Sequence, residues 1–547
     1  MDNYRLILVL SLGFVSFLLY QAWVRDYGPI PEERAVSSTV EATGSAVPEG
    51  VPVEAAATDG VVDSSPSVQL DSGVVRVETD VLRVDLATRG GSLVNVWLKD
   101  YKVSPDRQDE QFQLFKAEKP NLFIAQSGLL GGAADQLPNH NAVFQASQDT
   151  YELGDRDELS VDLRWQGEDG IEVIKTYRFR RGSYEVDVSH RIVNGGAEPV
   201  AMRLYSQLQR TDYKPVEASR FVRTYTGGVY YSPEDKYKKV SFSNMKDDAL
   251  NRDVNDGWIA MIQHYFMAAW IPPRDRLYTF YTNIVDGDRY IIGMYSPAFA
   301  VAPGAEEVLE ESLFVGPKLQ NVLASIAPGL ELAVDYGWLT VLAQPIFWVL
   351  DKIHSVIGNW GWSIIVLTIL IKGLFYKLSE TSYRSMAGMR ELAPRLQALK
   401  DRYGDDKERL NQAMMDLYRK EKINPLGGCL PILIQIPVFI SLYWVLLESV
   451  ELRHAPFMFW LNNLSAPDPY YVLPLLMGVS MFVQTKLNPL PPDPIQAKVM
   501  MSLPFVFTVF FAFFPAGLVL YWTVNNILSI AQQWFIMKGM KGQKAKK

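Results

Sequence analysis

Six long apolar runs constrain what this chain can fold into more than any other feature of its 547 residues. One run covers 6–24, and the other five cover 360–376, 427–450, 470–487, 499–514 and 516–537. An α-helix rises about 1.5 Å per residue, so about 20 apolar residues cross a hydrocarbon core about 30 Å thick. The runs therefore predict a membrane protein with six transmembrane helices, five of them in a C-terminal core at 360–540.

The first run has two interpretations, a cleaved signal peptide and an uncleaved anchor. A signal peptide has a shorter apolar region of about 7–15 residues and a small-residue cleavage site. Here the run is longer and ends in Tyr20-Gln21-Ala22-Trp23, which suits an aromatic anchor at the membrane interface. We therefore predict a transmembrane signal anchor at 1–27. The next residues, 28–68, are rich in Pro, Ser, Ala, Thr, Gly and Glu and predict a disordered linker.

From about Val74 onward, the linker composition ends and apolar and polar residues alternate with a period of two. Stretches such as 81–86, 171–177 and 184–188 alternate apolar and polar residues, and turn signals such as Arg181-Gly182-Ser183 separate them. Short strands at this spacing predict an all-β sandwich, which we place at 69–320.

The charges divide the chain into two parts. Residues 26–330 carry 30 Lys and Arg against 45 Asp and Glu, whereas the remainder carries 23 against 16. The net charge of −8 argues against a nucleic-acid binder, so DNA is not an expected partner. The single cysteine, Cys429, excludes an intramolecular disulfide and a cysteine-based zinc site.

Charge also predicts the orientation in the membrane. The loop 377–423 contains eleven Lys and Arg residues, so the positive-inside rule assigns it to the cytoplasm. The loop reaches the cytoplasm if the N-terminus is cytoplasmic, the sandwich is external and 330–358 does not span the membrane. We therefore interpret 330–358 as an amphipathic helix in the interface, with the C-terminus also cytoplasmic.

The basic loop has helical periodicity in two stretches, which predicts a cytoplasmic helical hairpin at 379–423. Its charges are mixed, with eight acidic residues beside the eleven basic ones, so a simple solvated hairpin is one interpretation. A docking platform for a ribosome, together with the basic tail 541–547, is the other.

Sites for covalent chemistry are not predicted. The sequence contains no nucleotide-binding loop, no zinc-protease motif and no nucleophile elbow. Its five histidines are scattered, so we expect no catalytic residue, no metal and no cofactor. No carboxylate lies well inside an apolar run, which argues against an ion-coupled transporter.

Lys372 is the only charge well inside one of the C-terminal runs. Such a lysine can extend to the interface, or it can occupy a polar cavity between helices. The other runs contain too many polar residues for lipid-facing positions, which favours the cavity. In the last run, polar side chains recur at intervals of three or four residues and therefore lie on one face of a helix. They are Tyr521, Asn525, Ser529 and Gln532. The predicted cavity residues around Lys372 are Thr368, Gln435, Gln484, Asn525, Ser529 and Gln532.

Several segments closely resemble the YidC/Oxa family of membrane insertases. They are Asn424-Pro425-Leu426-Gly427-Gly428-Cys429-Leu430-Pro431, Gln435-Ile436-Pro437-Val438-Phe439, Ser449-Val450-Glu451-Leu452-Arg453, Asp468-Pro469-Tyr470-Tyr471-Val472-Leu473-Pro474, Phe514-Pro515-Ala516-Gly517-Leu518-Val519-Leu520-Tyr521-Trp522 and Tyr403-Gly404-Asp405-Asp406-Lys407. The predicted anchor, linker and β domain resemble the Gram-negative form, in which the large domain is periplasmic.

The resemblance implies insertion and folding of nascent inner-membrane proteins, alone or beside the Sec translocon. It also implies a positively charged groove open to cytoplasm and lipid, with its charge at Lys372, where many members carry arginine. The implied substrate-contacting residues are Leu430, Ile436, Pro437, Tyr521 and Trp522. Two rival classes remain, a transporter or lipid flippase with an external domain and a receptor that senses a ligand through its β domain.

Overall fold

The computed structural model describes residues 73–105, 107–131, 137–213, 224–404, 406–421, 430–488 and 494–544. The predicted signal anchor and linker lie outside these residues. So do 424–429 of the resemblance, residues 405 and 422–423 of the predicted hairpin and the last three residues of the basic tail.

Twenty strands occur in the described residues, all of them between Val74 and Pro317. They are β1 Val74–Glu78, β2 Leu82–Ala87, β3 Ser92–Ser104, β4 Arg107–Phe115, β5 Phe123–Leu130, β6 Gln145–Ala146, β7 Thr150–Glu152, β8 Glu158–Gln166, β9 Ile171–Arg180, β10 Glu185–Asn194, β11 Val200–Thr211, β12 Gly227–Ser232, β13 Lys236–Val240, β14 Asn251–Asn255, β15 Trp258–Ile262, β16 Phe266–Ile271, β17 Leu277–Val285, β18 Arg289–Tyr295, β19 Phe299–Val301 and β20 Glu306–Pro317.

The strands form two sheets that pack as a sandwich. The larger sheet has the order β14-β17-β18-β11-β5-β3-β2-β1-β7, with β19 paired to β11 and β4 paired to β3. The smaller sheet has the order β13-β12-β15-β16-β20-β10-β9-β8-β6. The β-sandwich predicted from the alternating pattern is therefore confirmed, with strands at 74–317.

Burial explains why these segments are strands. In β8 and β10 the side chains alternate between exposed or half-buried and buried positions, so one face of each strand packs on the core. β15 and most of β16 are buried on both faces, and Trp258 and Trp270 are among the largest fully buried side chains. Each such side chain contributes about 1.5–3 kcal/mol through burial, which holds this domain together without a disulfide.

Ten α-helices occur in the described residues. They are α1 Phe242–Asp247, α2 Gln320–Ile326, α3 Thr340–Ile357, α4 Trp360–Leu374, α5 Tyr376–Tyr403, α6 Lys407–Lys420, α7 Leu430–Glu448, α8 Val472–Leu487, α9 Pro494–Phe511 and α10 Ala516–Lys544.

Helices α4, α7, α8, α9 and α10 coincide with the five C-terminal apolar runs. Within the described parts of the chain, no single helix combines the length and hydropathy of a membrane span; α4 and α5, bent by 67°, do so only together. The helices nevertheless pack closely, since a Cβ atom added at Gly478 of α8 would overlap the hydroxyl group of Thr508 in α9. The predicted interfacial segment contains α3. Trp348 of this helix and Trp338, which lies just before it, are exposed.

The segment predicted as a hairpin contains α5 and α6. Arg395 in the second half of α5 forms an ion pair 2.7 Å long with Glu421, which directly follows α6. Leu392 and Leu396 of α5 are buried, as their helical spacing predicts. Helix α5 begins at Tyr376, directly after the bend that ends α4. The predicted start of the hairpin at 379 therefore falls three residues inside this helix.

A compact contact region, called the joint below, connects the sandwich to the helices. Its residues are Lys318, Tyr336, Glu448, Ser449, Arg453 and His264. Lys318 forms a buried ion pair with Glu448 at the end of α7, with Nζ and Oε2 3.6 Å apart. Arg453 donates to the carbonyl oxygen of Lys102 at 2.6 Å. The end of α7 and the segment that follows it are thus each held by one of these contacts.

Candidate functional site

Lys372 lies in the last turn of α4. The side chain of Asn359 caps the start of this helix by accepting from the backbone N–H of Trp362, which is a favoured N-cap arrangement. At the other end, Lys372 Nζ donates to Ser529 Oγ of α10 at 2.8 Å. No carboxylate of the described residues lies within ion-pair distance of this ammonium group. The charge is therefore held between helices without a counterion there.

The polar face of α10 continues from Ser529 toward α7. Asn525 accepts from Gln435 Nε2 at 2.6 Å, and Ser529 Oγ donates to the backbone carbonyl of Asn525 at 2.7 Å. Lys372, Ser529, Asn525 and Gln435 thus lie next to one another across three helices. Amide and hydroxyl groups in such a cluster can hydrogen-bond a polar chain, and the ammonium group can attract an acidic one.

Gln484 belongs to a second polar cluster, between α8 and α10. Its Nε2 donates to Gln533 Oε1 at 2.9 Å, and Asn526 Nδ2 donates to Ser480 Oγ at 3.1 Å. Neither Asn526 nor Gln533 is among the residues predicted from the sequence. Their spacing of seven along α10, beside Ser480 and Gln484 at a spacing of four, is the signal that could have identified them.

Two of the predicted polar residues have partners outside the Lys372 cluster. Thr368 is buried, and its hydroxyl donates to the carbonyl oxygen of Ile364 in its own helix at 2.6 Å. Gln532 donates to the carbonyl oxygen of Tyr376 at the start of α5, at 3.4 Å. Gln532 thereby links α10 to the bend between α4 and α5.

The residues implied as substrate contacts differ in exposure. Ile436 is 44% exposed, whereas Pro437 is half-buried. Tyr521 is buried against Phe439, and Trp522 packs edge-to-face on the same ring at 4.4 Å. Leu430 begins α7, and its side chain lies outside what the structure describes. Ile436 therefore offers exposed apolar surface, whereas Tyr521 is buried and packs on Phe439 of the same helix as Ile436.

Within the described residues, no group of three or more His, Cys, Asp or Glu side chains is arranged to hold a metal ion. His140 and His190 are buried in the sandwich, and burial lowers the pKa of His140 to about 4. Burial lowers the pKa of His264 to about 3, and its Nε2 donates to the carbonyl oxygen of Leu447 in α7 at 2.9 Å. These histidines are neutral packing residues at physiological pH.

Comparison with known proteins identifies the family. The family model described as the YidC periplasmic domain matches residues 74–349, and the model of the 60Kd inner membrane protein matches 352–544. The chain belongs to the YidC family. Its two matched segments meet within α3, so the sandwich and the helical region each correspond to one family model.

Curated relatives match over the full length. A protein of Thioalkalivibrio sulfidiphilus named membrane protein insertase YidC is 52% identical, over 99% of each chain. A protein of the same name from Methylococcus capsulatus is 51% identical over both complete chains. A crystal structure of an active YidC insertase with its first transmembrane domain resolved covers 84% of this chain at 17% identity, with a TM-score of 0.38.

Proposed function

We propose that this chain is a membrane protein insertase that inserts and folds nascent inner-membrane proteins. The observation that carries the proposal is Lys372, a cation held by Ser529 between apolar helices and without a counterion among the described residues. The full-length relatives named membrane protein insertase YidC support the same activity. The activity needs no catalytic group, nucleotide or metal ion.

The proposed mechanism uses a hydrophilic groove around Lys372 that opens to the cytoplasm and to lipid. A substrate's polar tail must cross hydrocarbon, where each unsatisfied polar group costs several kcal/mol. Polar side chains of α7 and α10, such as Gln435 and Asn525, shorten the dry part of this path. The ammonium group of Lys372 attracts acidic tails into it.

The apolar segment of the substrate follows a different surface. It slides along the exposed part of α7 at Ile436 and along α10, and then enters the bilayer. Burial of apolar surface drives this last step at roughly 25 cal/mol per Å².

The proposed topology has six spans in the bacterial inner membrane, with both termini cytoplasmic and the sandwich periplasmic. The first span is the signal anchor at 1–27. The hairpin of α5 and α6 and the basic tail then face the cytoplasm, where they dock the ribosome, and the Sec translocon is a partner in the membrane. The basic residues of 377–423 support this orientation.

The test is insertion of a small single-span substrate into vesicles that contain the purified protein. We expect Lys372→Glu to lower insertion of a substrate with an acidic tail at least about tenfold, since the attraction becomes a repulsion. Lys372→Arg keeps the charge and should be tolerated, although bidentate capture of a carboxylate differs between the two side chains. Protease protection of the substrate's span measures insertion.

Normal insertion by Lys372→Glu, or normal growth of a depletion strain that carries it, would exclude the charged-groove mechanism. Removal of most of residues 30–310 separates this function from a receptor. An insertase whose chemistry lies in the membrane survives that deletion, whereas a ligand-sensing receptor does not.

A further inference from the structure

A cavity of about 2260 Å³ lies between the sandwich and the helices, beside the joint. Its sandwich wall includes residues 109–114 of β4, and its helical wall includes Trp444, Leu447 and Phe513. Its volume exceeds the roughly 300–1,000 Å³ of a typical small-molecule pocket. A segment of polypeptide therefore matches the cavity better in size than a metabolite does.

The residues of β4 in this wall belong to a strand that pairs with a described strand along one edge only. Among the strands that the structure describes, β4 pairs only with β3, and a bridge between Lys116 and Phe123 follows its end. The unpaired edge of a strand exposes N–H and C=O groups to which a further strand can hydrogen-bond.

Charges restrict where such pairing can occur along β4. Its first residues include Arg107 and Glu110, which form an ion pair 2.9 Å long, and charged side chains on an edge discourage pairing. The following residues, Gln111 to Leu114, are uncharged, and Gln111 and Phe112 are half-buried. The second half of β4 is thus the part open to another strand.

The position of this edge relates it to the proposed path of a substrate. Trp444 and Leu447 lie in the last two turns of α7, the helix whose Ile436 offers apolar surface. In the proposed topology this end of α7 is periplasmic. A tail that has crossed beside α7 therefore emerges next to the cavity.

We propose that β4 captures the translocated tail of a substrate by pairing with it as an additional strand. This inference rests on the proposed insertase function and names the site where the translocated part of the substrate is held. Pairing through the main chain does not depend on side chains, which suits tails of different sequence. The bound tail would be kept extended until the rest of the substrate has left the groove.

Arg210 in the same cavity wall adds a preference for carboxylate side chains in the tail. It is 4% exposed, its Nη2 donates to Gln263 Oε1 at 2.6 Å, and its guanidinium group lies 4.8 Å from the ring centroid of Phe123. Its Nε and Nη1 atoms have no acceptor among the described residues, and Asp212 attracts it without forming an ion pair. A buried cation with unused donors favours an anionic group beside it.

Disulfide cross-linking tests the pairing. The only native cysteine is replaced by Cys429→Ser, and Gln111→Cys is introduced into the full-length protein in vesicles. A single-span substrate carries one cysteine at each successive position of its translocated tail. Side chains of a paired strand face the same side at every second residue, so we expect cross-linking yields to alternate at least about threefold along the tail.

A matched variant with Ser243→Cys, an exposed residue elsewhere in the cavity wall, should give no alternation. Equal yields at all tail positions with Gln111→Cys, or no cross-links while the substrate's span becomes protease-protected, would overturn the inference and leave the insertase function intact. Failure of the span to become protected in every variant would instead overturn both.

A second measurement tests Arg210. With Arg210→Gln, we expect the cross-linking yield of a tail containing Glu to fall severalfold and that of the matched Gln tail to stay unchanged. Arg210→Lys should retain the difference between the two tails. An equal loss for both tails would contradict the role of Arg210 and indicate a change in folding of the cavity wall.

Discussion

Two lysines in different regions of the molecule are held in opposite ways. Lys318 in the joint is 2% exposed, lies 3.6 Å from Glu448 and donates to the carbonyl oxygen of Ala333 at 3.2 Å. Lys372 in the helical region donates to the neutral hydroxyl of Ser529. A paired charge fixes the geometry of its neighbours, whereas a charge with only neutral partners remains able to attract an anion. The joint is therefore the rigid contact, and the Lys372 cluster is the candidate site.

The joint should give the largest loss of stability. Lys318→Met leaves Glu448 buried without its partner, and breaking a buried ion pair costs about 3–5 kcal/mol. Burial already lowers the pKa of Lys318, while Glu448 and Asp335 oppose this change. Denaturant unfolding of the detergent-solubilised protein measures the loss.

The matched control replaces both partners, Lys318→Met with Glu448→Leu. Such a replacement is often neutral, because neither side chain then needs a counterion. If the single and double variants lost equal stability, the ion pair would not be what holds the end of α7.

The sandwich offers a third case, a carboxylate that is buried away from a close counterion. Burial raises the pKa of Glu311 to about 7, although hydrogen bonds from Ser206 and Tyr278 and the charge of Lys175 oppose this. A carboxyl group whose pKa is higher in the folded state binds more protons there, so stability falls as pH rises from about 4.5 to 7. We expect Glu311→Gln to remove this loss and to raise stability at pH 7 by about 1–3 kcal/mol.

The measurement is the unfolding free energy of both proteins between pH 4 and pH 8. The two should agree near pH 4 and diverge toward pH 7. Glu310→Gln, a substitution of the exposed neighbour on β20, should leave the wild-type pH dependence in place. A parallel pH dependence of wild type and Glu311→Gln would show that another group is responsible.

Periodicity predicted much of the fold because burial acts on local pattern. The apolar run 427–450 became α7 at Leu430–Glu448, and the alternating stretch 171–177 became part of β9 at Ile171–Arg180. The number of spans does not follow from the described helices, none of which alone has the length and hydropathy of a span. The length of a helix depends on the residues at which it begins and ends, and composition does not determine those residues.

Contacts between residues far apart in the chain could not be predicted from the sequence. Lys318 and Glu448 are 130 positions apart, and no local pattern links them. In the candidate site, the spacing of Asn525 and Ser529 predicts a polar face, and both contact residues of neighbouring helices. The second face, through Asn526, was missed because the partner helix α8 decides which neighbouring amide points inward.

Hydrogen bonds in the candidate site should contribute less than the joint. Gln435→Leu leaves Asn525 without its partner on α7, and interhelical hydrogen bonds in membranes contribute about 0.5–1 kcal/mol. Unfolding of the protein in a lipid–detergent mixture measures this small loss. A double variant, Gln435→Leu with Asn525→Leu, should lose no more than the single one, and a loss near that of Lys318→Met would mean that this cluster is also a rigid contact.

Lys372→Met gives the smallest expected change in stability and the sharpest contrast with Lys318→Met. Both substitutions replace a lysine by an unbranched apolar side chain, so they differ mainly in what surrounds the lost charge. Because Lys372 has no counterion among the described residues, its removal strands no buried anion there, and Ser529 keeps its bond to the carbonyl oxygen of Asn525. We expect stability to change by less than about 0.5 kcal/mol or to rise slightly, since desolvation of the ammonium group no longer opposes folding. Insertion of substrates with acidic tails should nevertheless fall, and unfolding and protease-protection measurements on one preparation would separate the two effects. A loss of stability as large as that of Lys318→Met would mean that Lys372 holds the helices together rather than attracting the substrate.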